Sequence, residues 1–209
     1  MVKKQPLSAQ PFVPERASLP ELAAASRNCE GCELYRNATQ TVFGEGPSTA
    51  RFLFIGEQPG DQEDLVGKPF VGPAGRILDK ALIEAGIDRA EVYVTNAVKH
   101  FYFEERGKRR IHKTPRATHI SACRPWLEAE IADVNPEAIV CLGSTAARSL
   151  LGPDVRVLRD RGKWLENRSA KRILVTIHPS AILRMIDPQA HKDEYNRFVA
   201  DLKRLQDLV

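Results

Sequence analysis

Two histidines, one glutamate and one asparagine stand where they can act on a bound molecule. Glu57, Asn96 and His178 each follow a short apolar run, and His112 sits in a basic stretch, Gly107-Lys-Arg-Arg-Ile-His112-Lys. Glutamate and histidine trade protons near neutral pH, and an imidazole with a free lone pair is a nucleophile. The planar amide of Asn96 offers one donor and one acceptor face, enough to read the edge of a base. Around Glu57, the residues Gln58, Asp61, Glu63 and Asp64 alternate with Gly56, Pro59, Gly60, Gly67, Gly72 and Gly75, so polar chemistry shares a loop with residues that fix unusual backbone angles. Phe70 in that loop either covers the core or stacks on a ligand ring.

The elements that must position these groups are legible as periodicity. Phe52-Leu-Phe-Ile55, residues 91–95, 138–142 and 173–177 are short apolar runs bounded by turn residues, hence buried strands. Between them lie helical patterns. Ile77, Leu78, Ala81, Leu82 and Ala85 share one face ahead of Gly86. Thr114-Pro115 opens a pattern running to about Ile131, Gly143-Ser144 opens one to Leu151, and residues 188–208 form the last. Ser18 with Pro20 starts a short helix from Leu19 to Arg27. Strands alternating with helices imply an α/β fold with a parallel, helix-covered sheet. Glu57, Asn96, Ser144 and His178 then leave the same sheet edge, where such folds bind ligands.

Composition bounds the class. The 209 residues, 43% hydrophobic and 28% charged, suit one domain over 19–209, with a Pro- and Gln-containing stretch, 1–18, as an extended arm. No run approaches the roughly 20 apolar residues that span a bilayer. The start lacks the apolar core of a secretory signal, so the expected location is cytoplasmic, with no membrane association, and four cysteines are expected reduced. Nothing indicates a protein partner, and a monomer is the default. The net charge is +4, yet Lys99 to Arg116 holds seven basic residues against two acidic ones, the footprint of a polyanion partner. The near-by charges and an expected helix start favour a neutral His112, and Glu57 opposes them. Cys29-x2-Cys32 with Cys123 and Cys141 is a metal pattern that by spacing alone fits either zinc or an iron–sulfur cluster.

Gly56-Glu-Gln-Pro-Gly-Asp61, Lys68-Pro-Phe-Val-Gly-Pro-Ala-Gly75, Thr95-Asn-Ala97 and His178-Pro-Ser180 together resemble the motifs of the uracil-DNA glycosylase superfamily, family 4 branch, over most of the chain. The resemblance implies a three-layer α/β/α fold on a central four-stranded parallel sheet, with a [4Fe–4S] cluster on Cys29, Cys32, Cys123 and Cys141. Two features depart from ordinary family 4 hydrolases: Gln58 in place of alanine, and the extra Lys108-Arg-Arg-Ile-His112 segment. Both resemble the UdgX-type proteins, which bind uracil-containing DNA and join it covalently. On that resemblance Gln58, Asp61, Phe70, Asn96 and His178 bind uracil. Lys108, Arg109, Arg110, Lys113, Ser180 and Arg184 contact single-stranded DNA. His112 attacks the sugar with Glu57 orienting it, and the protein acts once. The alternatives are a turnover glycosylase leaving an abasic site, and a non-catalytic nucleic-acid-binding module.

Overall fold

A computed structural model of the chain describes residues 7–166 and 172–208. Its centre is a five-stranded sheet built from β1 (Phe52–Gly56), β2 (Val92–Asn96), β5 (Ala138–Leu142), β6 (Trp164–Glu166) and β7 (Arg172–Thr176), ordered β2-β1-β5-β7-β6. The first four in that order are parallel, and β6 runs antiparallel on the edge of β7. The expected four-stranded parallel sheet is therefore correct as far as it goes, and β6 is the correction. With three residues and no buried side chain, it has none of the apolar signal that marks the other strands.

Alternation splits the core in two. Leu53, Ile55, Tyr93, Ile139, Cys141, Ile173 and Val175 face one layer with Leu22 of α1 (Leu19–Ser26), Trp126 and Leu127 of α4 (Ala117–Val134) and Ala146 of α5 (Gly143–Leu151). Phe54, Val94, Val140 and Leu174 face the other, with Leu78 and Leu82 of α3 (Pro73–Ala85) and Phe198 and Leu202 of α8 (Pro188–Lys203). Helices thus cover both faces of the sheet. Several helix limits follow the sequence closely. α1 begins with the expected N-cap, Ser18, which forms a capping box with Glu21, and α3 ends at Gly86. The helix expected from Thr114-Pro115 begins at Ala117, and the last helix gives way to a 3-10 turn over Arg204–Leu208. The stretch ahead of Ser18 includes a 3-10 turn at Gln10–Phe12, and the Ala9 N–H donates to Ala122 O at 2.7 Å.

The segment read as a basic loop is a hairpin. β3 (Phe103–Arg106) and β4 (Arg109–His112) pair antiparallel around a two-residue turn of Gly107 and Lys108, with Phe103 opposite His112. Its strands are mostly exposed and carry charge on both edges, which masks the pairing in the sequence. Within the glycine-rich loop a short helix, α2 (Asp61–Val66), was also not foreseen.

Candidate active site

The chain runs from β1 to β2 on one side and to β5 and β7 on the other. The strand order therefore reverses between β1 and β5, and the crevice beyond their carboxyl ends is the topological switch point. A cavity of about 950 Å³ opens there. Glu57, Gln58, Asp61, Phe70, Asn96, His112, Ser144, His178, Ser180 and Arg184 all border it, so the four strand-end loops do converge.

Two glycines make the floor tight. A side chain on Gly56 would stand 2.3 Å from Asn96 Oδ1 and 2.8 Å from Phe70 Cζ, so its absence lets both approach the end of β1. Phe70 adopts φ 57°, costly for an aromatic residue, and its carbonyl fills the place a Gly75 side chain would take, at 1.6 Å. The loop spends backbone strain to set one ring against the cavity. The Phe70 and His178 rings lie 27° from parallel with centroids 6.1 Å apart.

His178 has a defined tautomer. The Ser180 N–H donates to its Nδ1 at 3.2 Å, so that nitrogen accepts, and a neutral ring keeps its proton on Nε2. Burial, with Arg184 and His112 near by, pushes its pKa down to about 4. At neutral pH His178 is a neutral donor.

Across the switch point, Thr145 donates from Oγ1 to Glu57 Oε2 at 2.5 Å, while the other oxygen, Oε1, lies 3.5 Å from His112 Nε2. The carboxylate is thus held on one side and offered on the other. The His112 pKa is lowered, chiefly by partial burial. Glu57 raises it and Arg184 lowers it. The sequence left this balance open and credited it to loop cations and a helix start. The helix begins five residues later, and the cation that counts is Arg184. Thr145 escaped notice because Ser144 beside it carried the same sequence signal.

Gln58 and the hairpin are one device. Gln58 Nε2 donates to Tyr102 O at 3.1 Å and Lys113 O at 3.0 Å, and its Oε1 accepts from Tyr102 N at 3.1 Å, so it clamps both ends of the hairpin. Arg110 turns inward. It donates to Asp61 Oδ1 and to buried Asp64 Oδ2, both at 2.6 Å, and its guanidinium lies 5.5 Å and 5.1 Å from the ring centres of Phe101 and Phe103. Both Arg110 and its partner Asp61 are committed to holding the hairpin. Lys113 pairs with Glu104 at 2.8 Å, and Lys108 and Arg109 are exposed at the hairpin tip. Ser180 accepts from Arg184 at 3.3 Å. Lys99, counted with the surface charge, is 1% exposed. Its Nζ meets Glu130 Oε2 at 2.5 Å, Thr95 Oγ1 at 2.6 Å and Asn96 O at 2.8 Å.

The cysteines do not form one set. Cys29, Cys32 and Cys123 are buried together. The Cys123 thiol is pushed up to about 12 mainly by burial, but it also feels Cys32 and Cys29. Cys141 lies mid-sheet, paired in register with Ile55 and Val175, and burial alone raises its thiol to about 12. Among the described residues no three His, Cys, Asp or Glu side chains stand close enough to share a single ion. Cys123 thus lies within electrostatic reach of Cys29 and Cys32, and Cys141 sits in the sheet.

Residues 43–203 match the family described as the uracil DNA glycosylase superfamily. The type-4 uracil-DNA glycosylase of Thermotoga maritima is 38% identical over 76% of this chain and 79% of its own. Its namesake from Pyrobaculum aerophilum is 34% identical over 79% and 85%. That of Archaeoglobus fulgidus is 32% identical over 91% and 93%.

Proposed function

The chain belongs to the uracil-DNA glycosylase superfamily, and from that premise we propose that it takes uracil from DNA by cleaving the N-glycosidic bond. The observation that carries this reading is the meeting of Asn96, Phe70, Glu57 and the Nε2–H of His178 around one switch-point cavity. A base inside a duplex is out of reach, so the nucleotide is flipped, or presented single-stranded. Phe70 stacks on the uracil ring, and the buried Asn96 amide reads its edge. As the C1′–N1 bond breaks, its electron pair leaves with the base. His178 donates to the uracil O2, a hydrogen bond that strengthens as charge grows there. The Glu57 carboxylate faces the sugar cation. The test is labelled uracil-containing single-stranded DNA. Free uracil and an alkali-labile site are expected, and Asn96→Ala abolishes both while sparing salt-sensitive binding. A wild-type chain that binds the DNA but leaves uracil in place would support the non-catalytic module instead.

What happens to the sugar cation separates two finer readings. The relatives, named as type-4 uracil-DNA glycosylases, fit turnover hydrolysis better. In that reading Glu57 orients an attacking water and the protein leaves an abasic site. One observation favours the UdgX-type alternative: His112 Nε2 lies 3.5 Å from Glu57 Oε1 at the cavity border, on a hairpin clamped by Gln58. Here the ring nitrogen without a proton closes its lone pair on C1′ as the base leaves, the other ring nitrogen gives up its proton with Glu57 as the acceptor, and the neutral imidazole–sugar bond persists. A denaturing gel decides. Capture gives a band shift that survives heat and SDS, and His112→Gly converts it to free uracil with an alkali-labile site. No shift in the wild type leaves hydrolysis.

Cys29, Cys32 and Cys123 are proposed to hold a [4Fe–4S] cluster, which joins the N-terminal segment to α4. The role assigned to it is structural.

A further inference from the structure

One buried carboxylate borders the cavity without a part in the reaction described above. Glu63 is 9% exposed and lies between the two loops that meet there. Its Oε2 accepts from the Gly60 N–H at 3.1 Å, three residues along from Glu57. Its Oε1 accepts from the Gly72 N–H at 2.8 Å, two residues past Phe70. The first bond belongs to the start of α2, and the second reaches the N-cap of α3, so one side chain serves both helix starts. Both glycines leave room for it. A side chain on Gly60 would stand 2.6 Å from Oε2, and one on Gly72 would stand 2.9 Å from Oε1. The backbone adds a third point, since Glu63 O accepts from the Gly67 N–H at 2.8 Å. The span from Gly60 to Gly72 is therefore pinned at its start, middle and end by a single residue. Within it Phe70 sits at φ 57°, a conformation that persists only where its surroundings over-determine it.

Resting on the glycosylase reading above, in which Phe70 stacks on uracil, we propose that Glu63 is a positioning residue for base excision. Its carboxylate fixes the loop of Phe70 against the loop of Glu57, and with it the place of the ring that the flipped base must meet. Both of its oxygens have to accept. A glutamine has one accepting oxygen and turns an N–H toward the other amide, so it keeps one tether and repels the second. An aspartate keeps the charge but, one methylene shorter, falls short of the span.

The experiment uses the full chain, at a temperature at which every variant compared is folded. Single-turnover release of uracil from saturating uracil-containing single-stranded DNA gives the rate, and a uracil-free strand gives the affinity. Glu63→Gln and Glu63→Asp should each lower the rate at least tenfold and leave the affinity within twofold. In a Phe70→Leu background, with no aromatic ring left to place, the same substitutions should lower the remaining rate less than twofold, because the two positions act as one. Equal losses in both backgrounds, an unchanged rate, or a matching loss of affinity for the uracil-free strand overturns the positioning role. So does the failure of both substitutions to yield a folded chain. A Phe70→Leu chain as fast as the wild type removes the stacking role and this inference with it. A wild-type chain that releases no uracil overturns the glycosylase reading itself.

Discussion

Two imidazoles share the cavity and have opposite duties, and their protonation separates them. His178 donates and is neutral down to about pH 4. In the capture reading His112 must be unprotonated, and its pKa is lowered from the ordinary 6.5, chiefly by burial. Capture should hence be constant from pH 8 to about 6.5 and fail as the pH drops through the His112 pKa below that. Uracil departure should continue, because His178 is still a donor. The product should therefore move from adduct to abasic site as the solution is acidified, readable on one gel of products quenched across the range. An adduct fraction that rises on acidification would remove His112 as nucleophile. Thr145 belongs to the same scale. Thr145→Val frees the Glu57 carboxylate and should slow capture more than it weakens DNA binding, with Thr145→Ser restoring it.

At the scale of elements, the hairpin and the buried Lys99–Glu130 pair do different kinds of work. Gln58→Ala removes the three hydrogen bonds at the hairpin base. It should lower adduct yield several-fold and leave uracil release in place, as measured by free uracil against shifted band. Glu130 accepts from Gly44 N, Tyr93 Oη, Thr95 Oγ1 and Lys99 Nζ at 2.5–3.0 Å while fully buried. Glu130→Ala strands an ammonium inside the core, at a cost of about 3–5 kcal/mol in a denaturant melt. The same ammonium holds the Asn96 carbonyl, so uracil recognition should suffer with it. These elements also mark how far the sequence could be read. The four parallel strands announced themselves because all their residues but one are buried, and burial writes a continuous apolar run. Glu57, Asn96 and His178 were found because strand ends converge by topology. The hairpin, β6, the inward turn of Arg110 and the burial of Lys99 were not legible. Each depends on a partner far along the chain, and a charge looks the same in sequence whether it meets solvent or a carboxylate.

At the scale of the molecule, the positive patch is smaller than the sequence count. Lys99 is buried, Arg106, Arg110 and Lys113 are paired with carboxylates, and Lys108 and Arg109 at the hairpin tip stay exposed, as does Arg116. If the two tip residues meet phosphates, replacing both by alanine should lower the slope of log affinity against log salt by about 1.4 on single-stranded DNA. The measurement is a salt titration with an unreactive, uracil-free strand. An unchanged slope would assign the phosphate contacts elsewhere, with Arg184 next in line. Among the described residues no helix is long and apolar enough to cross a membrane.

Among the described residues the hairpin pairs with no strand of the central sheet. Side-chain bonds from Gln58 and Arg110, with the ring contacts around Phe101, tie it to the body. Few apolar groups need be uncovered to lift it, so it can open as a unit without the sheet unfolding. Amide hydrogen exchange should divide the protein accordingly, with Glu104 to Ile111 exchanging orders of magnitude faster than β1 or β5. DNA lodged beneath the hairpin would slow those amides, and a covalent tether through His112 would keep them slow after the free strand has been washed away.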